Sequence, residues 1–242
     1  VQIARQIDAD EVWTAHHGDD ALETALINRE RGASLFGITS LKRNNARGPI
    51  PSWPSALDLR RPLIGASRAQ LESYAVSHGL AYIEDPSNER TDYRRNAIRH
   101  DVLPKLTRHG RDTAEWLRAL GDLSRRATSV DQQARAALED DQLAPPDADT
   151  RATRLDALRR VSPTARARAF WLLATQLQCS MRRIHLEALD EAVTNGHDER
   201  VSIPGGVATI SEGLCVVTRA RGRGGRHLAD RSAPTLTVRL DD

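Results

Sequence analysis

The sequence contains few cysteines, few aromatic residues and no long hydrophobic run. Its 242 residues include 2 Cys, and Phe, Trp and Tyr together make up 4%. Cys179 and Cys215 form no C-x-x-C pair, which excludes a disulfide-rich secreted domain, a zinc finger and a thiolate cluster. No stretch approaches the ~18 apolar residues of a membrane span, and no charged-then-apolar leader is seen at the start. We therefore expect a soluble cytoplasmic protein that does not bind a membrane.

Lysine is also scarce, because only Lys42 and Lys105 occur among 35 basic residues. Arginine has a planar five-donor group that suits phosphate and carboxylate, although a coding bias explains the excess as simply. The net charge is only +2, so local clusters indicate more about partners than the total does. At roughly 150 residues per domain, the chain forms one large domain or two small ones.

Hydrophobic spacing predicts alternating helices and strands in the N-terminal half. The predicted elements are a helix over 1–10, a strand over Glu11–Ala15, a helix over Asp19–Arg31, a loop over 42–56, a strand over Leu59–Leu63 and a helix over Ser67–Ser77. This alternation is typical of a parallel α/β layer.

The C-terminal half is mainly helical by the same criteria, and it ends in short strands. The predicted elements are helices over 111–139, Leu155–Leu177 and Arg182–Thr194, followed by strands within Val201–Thr218. We therefore predict an α/β fold with a parallel-sheet domain at 1–108, a helical linker at 109–150, a small α+β domain at 151–219 and a flexible basic tail at 220–242.

One candidate site is the run HHGDD at 16–20, with Glu23 three residues further on. It lies where a predicted strand ends and a helix begins, and ligands of open parallel sheets bind at the carboxyl ends of strands. These side chains suit a magnesium-bound nucleotide phosphate or, with further ligands, zinc. The alternative is a polar helix N-terminus, where Asp19 and Asp20 complement the helix dipole.

A second candidate site is the basic segment at 90–111. Its basic residues outnumber its acids, Asp92 and Asp101; they are Arg90, Arg94, Arg95, Arg99, Lys105, Arg108 and Arg111. Arg95 and Arg99 are one helical turn apart and face the same way, which suits phosphates or a carboxylate. A solvated basic helix face is the alternative. The Arg/Gly-rich tail is interpreted either as an RNA-contacting segment or as a frayed terminus.

Several linked motifs resemble one family. Thr14–Thr24 (TAHHGDDALET) resembles the A-H-H-x-D-D-x-x-E-T segment of tRNA(Ile)-lysidine synthetases, which belong to the PP-loop (ATP-pyrophosphatase) superfamily. Arg61–Leu106 resembles the same family's run of R-P-L, R-x-x-L-x-x-Y, D-P-S-N and R-N-x-I-R-x-x-x-L-P. Five linked motifs over ~90 residues are far more specific than any one of them. Leu155–Thr218 is similar to the small substrate-binding domain that follows in the family.

The resemblance implies an ATP-dependent ligase that acts on the wobble cytidine, position 34, of tRNA(Ile). ATP adenylates the C2 oxygen of the base, and the ε-amine of free L-lysine then displaces AMP. The lysidine product changes codon reading from AUG to AUA. ATP and Mg²⁺ are the implied cofactors, and a homodimer is compatible with the family.

Residue roles follow from the resemblance by position. Asp20, His17 and Arg95 are implied to be catalytic, and Asp20 is also implied to hold the metal ion. The implied ATP-binding residues are His16, Asp19 and Glu23. The implied residues for lysine or tRNA are Arg31, Asp85, Asn88, Asn96 and Arg99.

The chain departs from the family pattern at some positions. The family's S-G-G-x-D-S loop, which cradles pyrophosphate through backbone N–H groups, has no match here and is expected upstream of Val1. The N-terminal parallel sheet is therefore predicted to be truncated. Asn28 stands where the family usually has Arg. One alternative function is a truncated, non-catalytic tRNA-binding relative. Another is a thiolating enzyme of the superfamily, which the position of both cysteines far from HHGDD disfavours.

Overall fold

The computed structural model describes residues 2–41, 44–45, 57–83, 94–108, 112–139 and 147–220. The chain divides into two compact units, unit 1 (Val1–Gln132) and unit 2 (Gln133–Asp242). The division lies inside one long helix rather than at residues 108 and 150, so the predicted linker boundaries stay predictions. The tail beyond Ala220 lies outside the described residues.

Unit 1 contains short strands and several helices. They are α1 (Gln2–Gln6), β1 (Glu11–Trp13), α2 (Gly18–Glu30), α3 (Leu35–Ile38), β2 (Asn44–Asn45), β3 (Asp58–Arg60), a 3-10 turn (Pro62–Gly65), α4 (Arg68–Ser77), α5 (Arg94–Ala97), a π-helical turn (Ile98–Val102), α6 (Leu103–Arg108) and most of α7 (Thr113–Glu139). The helices predicted around 19–31, 67–77 and 111–139 are confirmed with small shifts at their ends. The helix predicted over 1–10 ends at Gln6. The strand predicted over Leu59–Leu63 ends at Arg60, because Pro62 begins the 3-10 turn.

The sheet of unit 1 has the order β1-β3-β2. β1 runs parallel to β3 with Val12 opposite Leu59, and β2 is antiparallel on the other side of β3. The parallel pair, flanked by helices, agrees with the predicted α/β class at this coarse level. The carboxyl ends of β1 and β3 lie at one edge, where the N–H of Thr14 donates to the carbonyl of Arg60 at 3.0 Å. This edge positions the HHGDD run.

Unit 2 is an antiparallel sheet with helices. Its elements after α7 are β4 (Thr150–Arg154), α8 (Leu155–Arg159), α9 (Pro163–Gln176), α10 (Arg183–Asn195), β5 (Glu199–Ile203), β6 (Gly206–Ser211) and β7 (Leu214–Arg219). The strand order is β4-β7-β6-β5. Phe170, Leu158, Leu189 and Ile210 are among its fully buried side chains, so unit 2 has a hydrophobic core of its own.

The segment Leu155–Leu177 is mostly helical, as predicted. It forms two helices, α8 and α9, because the side chain of Ser162 accepts the N–H of Ala165 and Pro163 opens a new helix. The sequence does not indicate strand β4, since T-R-A-T-R has no apolar alternation.

Among the described residues, no helix is both long and apolar enough to cross a bilayer.

Candidate functional site

The HHGDD run forms the turn between β1 and α2. His16 and His17 follow the strand, and α2 begins at Gly18. Thr14 Oγ1 lies 2.8 Å from His16 Nδ1, which orients the first imidazole. Burial lowers the pKa of His16 below its usual value. The strand-to-helix position predicted from the sequence is therefore confirmed.

The two aspartates of the run have different partners. Asp20 Oδ2 accepts the backbone N–H of His17 at 2.8 Å and so closes the first turn of α2. Asp19 Oδ2 instead accepts the backbone N–H of Arg68, the first residue of α4, at 2.7 Å. Asp19 thus ties the beginning of α2 to the beginning of α4.

Gly18 allows this close approach of the two helices. Its N–H donates to the carbonyl of Ala66 at 2.7 Å. A Cβ at Gly18 would lie 2.6 Å from Leu117 Cδ1 and 2.9 Å from the Ala66 oxygen. Both distances are shorter than normal contacts, so the residue between the histidine pair and the aspartate pair has to be small.

Asp20, Glu23, Arg95 and Arg99 form what we call the carboxylate–arginine cluster. Arg95 Nε donates to Glu23 Oε2 at 2.6 Å, and Arg95 Nη2 donates to Asp20 Oδ1 at 2.8 Å. Arg99 Nε donates to Glu23 Oε1 at 2.8 Å. Each guanidinium therefore engages the buried Glu23, and Arg95 bridges it to Asp20.

Helical spacing places the two members of each like-charged pair on one face of their helix. Asp20 and Glu23 are three residues apart on α2, and Arg95 and Arg99 are four residues apart on the helical segment 94–108. That segment widens into a π turn at Ile98–Val102. There the backbone N–H of Leu103 donates to the carbonyl of Ile98. The wider turn precedes Pro104, which lacks an N–H and would clash with a carbonyl in a regular α-helix. π turns are frequent at functional sites.

The side chains of the carboxylate–arginine cluster differ in how much of each is exposed to solvent. The side chain of Glu23 is 0% exposed, that of Asp20 13% and that of Arg95 42%. Glu23 therefore holds the arginines from the buried side, and Arg95 is the member of the cluster that is most open to solvent. Burial works against the charge of Arg95, but Glu23 and Asp20 raise its pKa above the usual value.

His17 lies beside the cluster and is coupled to both aspartates. Its Nδ1 is 3.6 Å from Asp19 and its Nε2 is 3.6 Å from Asp20. Asp19 raises the pKa of His17 against the effect of burial, and Asp20 adds to this. Burial alone would raise the pKa of Asp19, but His17 and the N–H of Arg68 lower it. Carboxylates attract an ammonium group, and a neutral imidazole whose pKa is raised is a stronger base towards its proton.

Some predicted site residues lie elsewhere. Arg31 is exposed just beyond α2, about 17 Å along the helix axis from Asp20 at 1.5 Å per residue, so it is not brought to the cluster. Asp85 and Asn88 lie outside the described residues. Asn96 follows Arg95 in the sequence, and it is buried in the fold. Its role stays a prediction.

The structure adds features that the sequence did not indicate. Arg68 receives Asp19 through its backbone N–H, and a cavity of about 420 Å³ lies between α4 and residues 80–83, beside His17. Sequence patterns show helix α4 itself, but its contact with Asp19 joins residues 49 positions apart. No local signal encodes such a contact.

The implied metal ion does not fit the described side chains well. Within the described parts of the chain, no group of three or more His, Cys, Asp or Glu residues is arranged to hold a metal. Both oxygens of Asp20 are already engaged, by the N–H of His17 and by Arg95. Mg²⁺ binding by Asp20 therefore stays a prediction.

Residues 1–106 match the family described as PP-loop domain. The chain is also similar to curated tRNA(Ile)-lysidine synthases. It is 37% identical to the protein of Pseudomonas aeruginosa over 117 residues, 48% of this chain and 24% of the relative. It is 43% identical to the protein of Burkholderia mallei over 101 residues, 40% of this chain and 19% of the relative.

A third relative is the tRNA(Ile)-lysidine synthase of Legionella pneumophila strain Lens, which is 39% identical over 132 residues. That match covers 54% of this chain and 27% of the relative. These matches support the resemblance that the linked motifs indicate. The chain spans about a quarter of the length of the relatives it matches.

Proposed function

We propose that the protein carrying this chain is a tRNA(Ile)-lysidine synthetase, an ATP-dependent carbon–nitrogen ligase that acts on tRNA in the cytoplasm. Its substrates are ATP, free L-lysine and tRNA(Ile) with an unmodified wobble cytidine. The observation that carries the proposal is the carboxylate–arginine cluster beside His17, located within the region that matches the PP-loop domain. A homodimer is not needed to complete this cluster.

The reaction has two steps. In the first, the C2 oxygen of cytidine attacks the α-phosphate of ATP and pyrophosphate leaves. In the second, the lysine ε-amine attacks C2, AMP leaves, and the amine loses a proton. We assign to Asp20 and His17, whose side chains lie 3.6 Å apart, the roles of attracting the amine and accepting this proton. Among the implied ATP-binding residues, Asp19 and Glu23 act mainly by holding α4 and the arginines in place.

Arg95 is the member of the cluster best placed to hold an anion. It is partly exposed, and its guanidinium is fixed by Glu23 on one side. The carboxylate of lysine or a phosphate of the anticodon loop is the group we assign to it. Arg99 has a side-chain exposure of only 19%, so it supports Glu23 more than it reaches the ligand. Asp85, Asn88, Asn96 and Arg31 are proposed to complete the lysine and tRNA contacts.

The cysteines give no support to sulfur transfer as an alternative. Both are buried, and burial raises the pKa of the Cys215 thiol to about 12 and also raises that of Cys179. A thiolating enzyme needs an accessible thiolate. The ligase therefore agrees better with the described residues.

Kinetic assays of the complete protein that carries this chain test the proposal, with ATP, lysine and tRNA(Ile) varied separately. Asp20→Asn keeps the shape of the side chain and removes its charge, so we expect kcat to fall ~10²–10³-fold. Arg95→Ala should raise the apparent requirement for lysine or tRNA first. Arg94→Ala is the matched control, because Arg94 is exposed and pairs with the exposed Glu30. Near-normal turnover of Asp20→Asn with an unchanged circular dichroism spectrum would refute the site assignment.

A further inference from the structure

The imidazole of His16 is hydrogen-bonded through one of its two ring nitrogens. Thr14 Oγ1 lies 2.8 Å from His16 Nδ1, which is a normal hydrogen-bond distance. Within the described parts of the chain, this is the one hydrogen bond of the His16 side chain, and it is also the one hydrogen bond of the Thr14 hydroxyl. The ring is half-buried, and its Nε2, on the side turned away from Thr14, is left for a ligand.

The backbone on both sides of His16 is fixed, and this fixes the contact with Thr14. Thr14 follows β1 directly, and its N–H donates to the carbonyl of Arg60 at 3.0 Å. His17 follows His16, and its N–H donates to Asp20 Oδ2 at 2.8 Å. Threonine is also stiff about its first side-chain torsion, because it is branched at Cβ. The sheet edge and the first turn of α2 therefore hold the hydroxyl beside the imidazole.

The surroundings of His16 favour its neutral form. Burial is the largest effect, and it lowers the pKa of His16 below the usual value. Asp20 acts in the opposite direction, whereas Arg61, Arg95 and His17 lower the pKa further. A neutral imidazole has one N–H and one lone pair. Which nitrogen carries the proton is set by the hydrogen bond that the other nitrogen makes.

Two arrangements fit the distance between Thr14 and His16, and they differ in what Nε2 offers. If the hydroxyl donates, Nδ1 carries the lone pair and Nε2 carries the proton. If Nδ1 donates instead, the hydroxyl proton has no protein acceptor, because Thr14 makes no second side-chain hydrogen bond among the described residues. The first arrangement uses both the hydroxyl proton and the lone pair of Nδ1, so it satisfies more hydrogen-bonding groups.

We propose that Thr14 is a positioning residue that fixes His16 as the Nε2–H tautomer, so that His16 acts as a hydrogen-bond donor and not as a general base. The inference rests on the proposed function, in which negative charge develops on phosphate oxygens during adenylation. A neutral imidazole N–H that is already oriented stabilises such an oxygen. The proton of the amine is then left to Asp20 and His17, the groups to which it is already assigned.

Two-bond ¹H–¹⁵N NMR of the complete protein labelled at histidine, at about pH 8.5, measures the tautomer, because imidazoles are neutral there. The chain supplies two reference histidines. His185 Nδ1 accepts the N–H of Arg182 at 3.1 Å, so it has to be the Nε2–H tautomer. His78 Nδ1 lies 2.9 Å from the carbonyl oxygen of Tyr74, which only accepts, so it has to be the Nδ1–H tautomer. We expect the pattern of His16 to match that of His185. A match to His78, or an averaged pattern, would overturn the proposal.

Two substitutions at Thr14 separate the hydroxyl from the shape of the side chain. Thr14→Val has nearly the same shape and no hydroxyl, so the pattern of His16 should become an average of the two tautomers. Thr14→Ser keeps the hydroxyl and should keep the pattern of the unsubstituted protein. Circular dichroism of both variants checks that the fold is retained. An unchanged pattern in Thr14→Val would overturn the proposal, because the hydroxyl would then not set the tautomer.

Two substitutions at His16 separate a donor from a base. His16→Gln keeps an N–H donor and has no basic nitrogen, whereas His16→Ala has neither. A donor role predicts that kcat/KM for ATP is about two- to tenfold higher in His16→Gln than in His16→Ala, which is the scale of one hydrogen bond. Equal losses in the two variants would overturn the donor role.

The proposed function fails by a different result. If the complete protein forms no lysidine, but the pattern of His16 matches that of His185 and Thr14→Val averages it, the ligase proposal is refuted and the tautomer assignment remains. If lysidine forms and the pattern of His16 matches that of His78, the ligase proposal stands and the tautomer assignment is refuted.

Discussion

His17 shows how single residues set the chemistry of this site. Its ring lies between two carboxylates, 3.6 Å from Asp19 and 3.6 Å from Asp20. Asp19 raises its pKa against the opposing effect of burial. Since the folded chain binds the proton of His17 more tightly than the unfolded chain does, protonation of His17 stabilises the fold.

The stability contribution of His17 is therefore expected to depend on pH. It should be fully present below the ordinary value of 6.5 and be lost as the pH rises through the raised pKa. His17→Gln should then lower the free energy of unfolding more at about pH 5.5 than at about pH 8.5, measured by urea denaturation. In an Asp19→Asn background this difference should shrink, because Asp19 is the largest cause of the shift. An equal effect of His17→Gln at both pH values would contradict the prediction.

At the scale of elements, two helix N-termini meet at the site. The N–H of Gly18 donates to the carbonyl of Ala66, and the N–H of Arg68 donates to Asp19. α4 has its own cap, since Ser67 Oγ accepts the N–H of Gln70 at 3.2 Å. The beginning of α2 is thus fixed by contacts within its own first turn and by contacts with residues 66 and 68 at the beginning of α4. These contacts hold Asp20 in place.

Gly18→Ala is expected to destabilise unit 1 by about 1–3 kcal/mol, since the new Cβ has to displace Leu117 and the backbone at Ala66. Gly65→Ala is the matched control, because Gly65 precedes Ala66 and a Cβ there meets nothing within 4 Å. Thermal denaturation of both variants measures the difference. If the two substitutions cost the same, the two helix N-termini are not closely packed at Gly18.

At the scale of the whole molecule, each unit has its own stabilising interactions. In unit 2, Arg166 of α9 donates to Asp190 of α10 at 2.6 Å, and the two side chains are 8% and 30% exposed. This ion pair lies beside a core that includes Phe170 and Leu189. Loss of one partner leaves a buried charge without compensation, which costs more than loss of an exposed pair.

We expect Asp190→Ala to destabilise unit 2 by about 2–3 kcal/mol, less than the ~3–5 kcal/mol of fully buried pairs because Asp190 is partly exposed. Hydrogen exchange of the amides in β6 and β7 measures the effect within unit 2. Asp156→Ala is the control, since the Asp156–Arg159 pair is exposed, and its cost should stay below about 1 kcal/mol. Unchanged exchange in Asp190→Ala would show that the ion pair contributes nothing to unit 2.

The sequence by itself determined the local parts of the site. The strand, turn and helix around HHGDD follow from spacing and composition within about 20 residues. The shared face of Arg95 and Arg99 follows from their four-residue separation. The linked motifs were specific enough to indicate a family resemblance, which the match of residues 1–106 and the similarity to lysidine synthases support.

Only the tertiary structure decided which of these groups meet. Glu23 and Arg95 are 72 residues apart, and Asp19 and Arg68 are 49 apart. Helical and strand periodicities describe neighbours within a turn or two, whereas distant partners depend on which elements become adjacent in space. For the same reason the sequence gives no sign that the carboxylate of Asp19 accepts the N–H of Arg68, at the start of a helix that follows the second strand of the parallel pair. The nucleotide-binding role that the family resemblance implies for Asp19 stays a prediction.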